Sequence, residues 1–181
     1  MIKTSSSFPL LILILSSLLV SHFAPAQTFP SISTEQPDGE KVVLPTDLNG
    51  KKSIVFLAFT ERAEHILDDW YAPVYTMFLD KTGINSLVYD CNVKLVMMFT
   101  GAGQAASETI MTKIRENVDQ EMNDYLLFYQ GSFKEHMRTL DLKKKDDAYV
   151  LVLDESGKIL LQESGKYSES KLDRIGELVE L

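Results

Sequence analysis

One stretch, Ser53 to Trp70, leaves this chain few ways to fold. Its first half, Ile54 to Phe59, is an apolar run without alternation, too short for a globular helix and rich in β-formers, which is the pattern of a strand buried on both faces. Its second half sets Ile66, Leu67, Trp70, Val74, Met77 and Phe78 at spacings of one, three or four, so they gather on one side of a helix. A buried strand feeding an amphipathic helix is the first half of a βαβ unit. Sheets built from such units place their chemistry at the strand-to-helix junction, here Glu61-Arg62-Ala63-Glu64.

At that junction the chain resembles the thioredoxin-like superfamily. Redox-active members end this strand in Cys-x-x-Cys, and laying Phe56-Leu57-Ala58-Phe59-Thr60 on their Phe-Trp-Ala-x-Trp puts Glu61 and Glu64 on the two cysteines. A carboxylate cannot form a mixed disulfide, which requires a thiolate attacking sulfur. The chain's single cysteine is Cys91, so no shift of the alignment restores a dithiol. A second hallmark of the redox members, a cis-proline that holds substrate just before the first strand of a C-terminal hairpin, would fall at Ala148 or Tyr149 and is missing.

The order of elements supports the same resemblance. Gln36-Pro37-Asp38-Gly39 is turn chemistry, Lys41 to Leu44 a short strand, and Leu48-Asn49-Gly50-Lys51 is similar to the lead-in of redoxins, whose hairpin pads one sheet edge. Pro73 inside the first helical pattern predicts a kink or break near Ala72, and Lys81-Thr82-Gly83 stops that helix. Val93 to Phe99 is a second buried strand, parallel to the first. The series Ile110, Ile114, Val118 and Met122 predicts a helix face packed on the sheet. Tyr125 to Tyr129 reads as a strand, Ser132 with Glu135 as a capped helix start, and Ala148 to Leu153 with Lys158 to Gln162 as an antiparallel hairpin. Ser170 with Asp173 repeats the capping signal before a last helix carrying Leu172, Ile175 and Leu178. The expected fold is α/β and thioredoxin-like, a central mixed β-sheet sandwiched by helices. Among cysteine-poor relatives the chain is similar to mitochondrial ATPase assembly factors of the Atp10 type, which share a Tyr-Val-x-Leu-Val-Asp strand, here Tyr149 to Asp154. That likeness implies an assembly or chaperone role.

Residues 1–26 are expected to be a secretory signal peptide: Lys3, an apolar run from Phe8 to Val20, then Ala24-Pro25-Ala26 as a cleavage site. The domain is then residues 27–181, exported to a periplasm or secreted, with no stable membrane insertion after cleavage. Removing Lys3 and no acid leaves 17 basic against 26 acidic residues, a net charge of −9. Nucleic-acid surfaces need clustered Lys and Arg, and the one basic run, Lys143 to Lys145, is followed at once by Asp146 and Asp147. Nucleic acid is therefore excluded as a partner.

Three stretches carry candidate chemistry. Glu61, Glu64 and His65, at i, i+3 and i+4, face one side of a helix, as partial ligands for zinc or a transition metal; acids near a helix start also simply favour its dipole. Cys91 offers a lone redoxin-type thiol or a small buried residue. Thr100-Gly101-Ala102-Gly103 is a glycine-rich strand-to-helix turn, yet lacks the third glycine and downstream acid of a dinucleotide fingerprint. The preferred reading has no catalytic residue, no cofactor and no metal. It is a non-redox module that binds a protein or peptide partner through Glu61, Arg62, Glu64, His65, Trp70 and Tyr149. Its alternatives are redox chemistry at Cys91 and metal binding at Glu61, Glu64 and His65.

Overall fold

The computed structural model describes residues 27–181; the expected signal peptide lies outside the described residues. Seven strands form one sheet: β1 (Ile32–Glu35), β2 (Lys41–Leu44), β3 (Ser53–Ala58), β4 (Asn92–Phe99), β5 (Leu126–Gln130), β6 (Tyr149–Leu153) and β7 (Ile159–Ser164). Their order is β2-β1-β5-β4-β3-β6-β7. The apolar run from Ile54 is the centre: β3 pairs in parallel with β4 and antiparallel with β6, and all six of its residues are buried. A strand with neighbours on both edges and helices on both faces has no solvent side, which is why β3 does not alternate.

The pleat divides the core. Ile54, Phe56 and Ala58 face α1 (Glu61–Val74) and α4 (Glu169–Val179), meeting Leu67, Trp70, Leu172 and Ile175. Val55 and Leu57 face the other way, toward Phe29, Leu48 and the residues around α3 (Lys134–Thr139), Phe133 and Leu140. The helix α2 (Ser107–Asn117) shares the α1 side farther along the sheet, where Met111 packs on Met97 and Phe128. This is the mixed sheet sandwiched by helices that the sequence predicts.

Several local expectations need correction. Pro73 does not break α1, which runs through it to Val74. The carbonyl it leaves without a donor belongs to Asp69, on the exposed side of the helix, where it is open to solvent and costs little. The disturbance emerges one turn later as a wide i→i+5 turn over Tyr75–Leu79. The regular series on α2 mis-sets its rotation: Ile110 is 37% exposed and Met111 2%. The helix also ends at Asn117, before Val118 and Met122. Neither expected cap forms, since α3 starts after Phe133 and α4 after Ser168, both without a side-chain cap bond.

Candidate functional site

The strand-to-helix junction is held by Thr60. Its extended backbone and its hydroxyl, which accepts from the Ala63 amide at 3.3 Å, cap α1. Glu61 and Glu64 then occupy the first turn, where the helix dipole favours negative charge. The Thr60 hydroxyl lies 3.1 Å from Asp146 Oδ1 and 3.4 Å from the Lys145 carbonyl. Lys145 reaches back to donate from Nζ to Thr100 Oγ1 at 2.7 Å. The loop that should hold substrate in redox relatives is thus tied by its own side chains to the ends of β3 and β4. Gly101, at φ 59°, takes the left-handed turn that glycine favours, beside the Lys145 ammonium.

The six residues expected to form one binding surface divide. Glu61, Arg62 and His65 are exposed on α1, and Glu64 is half-buried one turn along. His65 sits 3.9 Å from Glu61 and 3.3 Å from Asp68. No three His, Cys, Asp or Glu converge as a metal set among the described residues. Trp70 and Tyr149 are not surface residues, which corrects their expected placement. Trp70 is 1% exposed and donates from Nε1 to the Gly165 carbonyl at 3.1 Å. Tyr149 is also buried; its hydroxyl accepts from the Lys144 amide at 2.9 Å and donates to the Lys144 carbonyl at 2.8 Å. Helical spacing put Trp70 on the same face as Leu67 and Val74, which is the core face.

Burial lifts the Glu64 carboxyl above the ordinary range, and the neighbouring charge of Glu61 adds to it; His65 opposes this and Asp68 reinforces it. The folded state therefore holds the Glu64 proton more tightly than the unfolded chain. The stability this contributes is full below the unfolded-state value and is lost as pH rises through the folded one. At neutral pH the ionised carboxylate opposes folding, so Glu64→Gln should raise the thermal midpoint there. Solvent screening holds the gain below about 1 kcal/mol, and it should shrink in acid; thermal melts at pH 4 and pH 7 check both.

One feature of the site was missed by sequence reasoning. Between α1 and α2, over β4, lies an open groove of about 310 Å³. Phe56, Leu67, Leu95, Met97, Ile114 and Leu126 give it an apolar lining, and at one end Tyr71 Oη reaches Met122 Sδ at 3.9 Å. Glu64 and Asp68 stand on its wall. Apolar spacing alone does not report the gap between two helices; in the structure the trace it leaves is Leu95, the one apolar residue of β4 that is only half-buried.

Cys91 lies elsewhere. It precedes β4, and the eight residues Asn92–Phe99, at about 3.3 Å each, put roughly 25 Å between it and the junction end of the strands. It is 8% exposed, and burial pushes its thiol up to about 11.

A mixed sheet flanked by helices, with acids at the start of α1 and one remote thiol, defines a thioredoxin-fold domain with no dithiol site. Solved structures agree on the fold. The thioredoxin domain of a thiol-disulfide oxidoreductase from Bacteroides vulgatus matches with TM-score 0.56 at 15% identity, covering 85% of this chain and 96% of that one. The pneumococcal exposed lipoprotein thioredoxin from Streptococcus pneumoniae gives 0.55 at 13% identity over 82% and 99%. BsSco, a member of the Sco family of cytochrome c oxidase assembly proteins, gives 0.51 at 14% over 85% and 92%. None of the curated proteins matches the chain. The family model of the ATP10 protein matches residues 22–180, and the chain belongs to that family.

Proposed function

We propose that this domain is an exported, non-redox binding module that acts on another protein, in assembly rather than electron transfer. The observation that carries this reading is the junction itself. Acids occupy the helix start, and the loop opposite is bonded to Thr60 and Thr100. Membership of the ATP10 family supports it, as does the use of the same fold by BsSco, whose own family is named for cytochrome c oxidase assembly. Export is supported by the apolar run and small residues near the N-terminus and by the likeness to an exposed lipoprotein. No helix among the described residues is long and apolar enough to cross a membrane.

The contact surface in this reading is the exposed start of α1, Glu61, Arg62 and His65, with Glu64 beside them. Capture from an envelope extract by residues 27–181 tests it. Glu61→Lys should lower recovery of the captured protein several-fold while costing no more than about 1–2 kcal/mol of stability, since the reversed charge opposes the helix dipole. Equal recovery removes that surface from the proposal, and sustained reduction of insulin by the wild-type domain removes the non-redox reading.

A further inference from the structure

Resting on that binding reading, we propose that the groove between α1 and α2 receives the apolar anchors of a cationic amphipathic segment of the partner protein. The lining supplies both halves of the specification. Its floor is aliphatic and aromatic, and its only charged residues are Glu64 and Asp68, both acids. Neither pairs with a lysine or arginine among the described residues; Asp68 meets His65 alone. On the opposite side, Asp124 and Glu121 are exposed and adjoin the lining residues Tyr125 and Met122 in the chain. An apolar trough with acids on both rims complements apolar side chains flanked by lysine or arginine.

The shape favours a segment over a free small molecule. At about 310 Å³ the groove is at the lower limit of small-ligand sites, roughly 300–1,000 Å³, and it is open along one side. Its apolar surface continues past the cavity onto exposed residues. Ile110 stands one turn before Ile114 on α2, and Tyr71, on the α1 rim, is followed one turn later by Tyr75, the two rings 6.1 Å apart. A continuous stripe between two helices is what a helix uses when it docks by anchors at i, i+3 or i+4, and i+7.

The probe is a synthetic amphipathic helix of leucine and lysine, about 14 residues long so that it makes nearly four turns, with a leucine and glutamate counterpart. Trp70 lines the groove and is the chain's one tryptophan, so its emission reports occupancy. The Leu/Lys peptide should bind saturably with a shift in that emission, and the Leu/Glu peptide should not. Glu64→Gln with Asp68→Asn should weaken binding about tenfold or more. Glu135→Gln with Glu155→Gln, the same change in charge on α3 and in the β6–β7 turn, should leave it within about twofold. The exposed pair Tyr71→Ala and Ile110→Ser should weaken it without unfolding the domain. Equal binding of the two peptides, or equal loss in the remote pair, overturns the proposal. So does saturable uptake of the neutral dye Nile red with no peptide binding, which marks a small apolar ligand. Self-association abolished by the rim pair overturns it as well, since a second copy then covers the groove. If extract capture is lost on Glu61→Lys but untouched by the groove variants, the groove fails and the binding module stands. Insulin reduction without capture removes the module itself.

Discussion

Trp70→Ala should cost this domain about 3–5 kcal/mol, the usual loss for truncating a buried aromatic. Trp70 is 1% exposed and packs edge-on against Phe56 of β3 at 5.8 Å and Tyr167 at 5.5 Å. Its indole N–H also satisfies the Gly165 carbonyl at the start of the segment leading into α4. One side chain therefore joins the central strand, the first helix and the return to the last helix. Against a typical total of about 5–15 kcal/mol, its loss removes a large share of the stability. Urea unfolding followed by far-ultraviolet circular dichroism gives the measurement. Trp70→Phe separates the contributions: it keeps most of the packing and leaves the Gly165 carbonyl without its donor, for a smaller loss of about 1–3 kcal/mol. A wild-type midpoint in Trp70→Ala, combined with lost capture, would return Trp70 to the binding surface.

The case of Trp70 shows where sequence reasoning held and where it stopped. Long apolar runs specify strands buried on both faces, so β3, β4 and β6 were legible almost to the residue, and the junction after β3 followed from them. The acids at Glu61 and Glu64 were legible for the same reason. Direction was harder. Helical spacing says that Leu67, Trp70 and Val74 share a face, and the core claims that face before any partner does. On α2 the steps of four residues advance about 40° each around the helix, so a series read over Ile110 to Met122 turns away from the sheet; Met111, outside the series, is the buried residue. Ser132 and Ser170 carry capping signals, yet the helices start after Phe133 and Ser168 without a side-chain cap bond. The groove is a gap between two helices, which apolar spacing within either helix does not report.

The Lys145 tether has no sequence signature either. A basic run followed by acids reads as a solvated loop, and Lys143 and Lys144 are indeed exposed. Lys145 and Asp146 are exposed as well, and in addition Lys145 donates to Thr100 and Asp146 accepts from Thr60. These bonds become visible only once the sheet has brought the ends of β3, β4 and the strand leading into β6 together. They bind the loop before β6 to the ends of β3 and β4, beside the start of α1.

The thiol of Cys91 should react with iodoacetamide about a hundredfold more slowly in the folded domain than in the unfolded chain at pH 8. Desolvation lifts its pKa from 9.0 to about 11, and because the thiolate is the nucleophile, each unit above ambient pH removes a further factor of about ten in reactive species. Poor access at 8% exposure slows the folded form further. The linkage has a definite sign. Between the unfolded and folded values the unfolded chain releases a proton that the fold retains, so stability conferred by the neutral thiol is full below about pH 9 and declines as pH rises toward 11. Cys91→Ser should abolish that alkaline decline and leave capture of a partner unchanged. Rapid labelling of the native protein, or turnover of a hydroperoxide lost on Cys91→Ser, would give the remote thiol a redox role. The acids at the helix start would then have to be explained as a surface and not as the functional end of the domain.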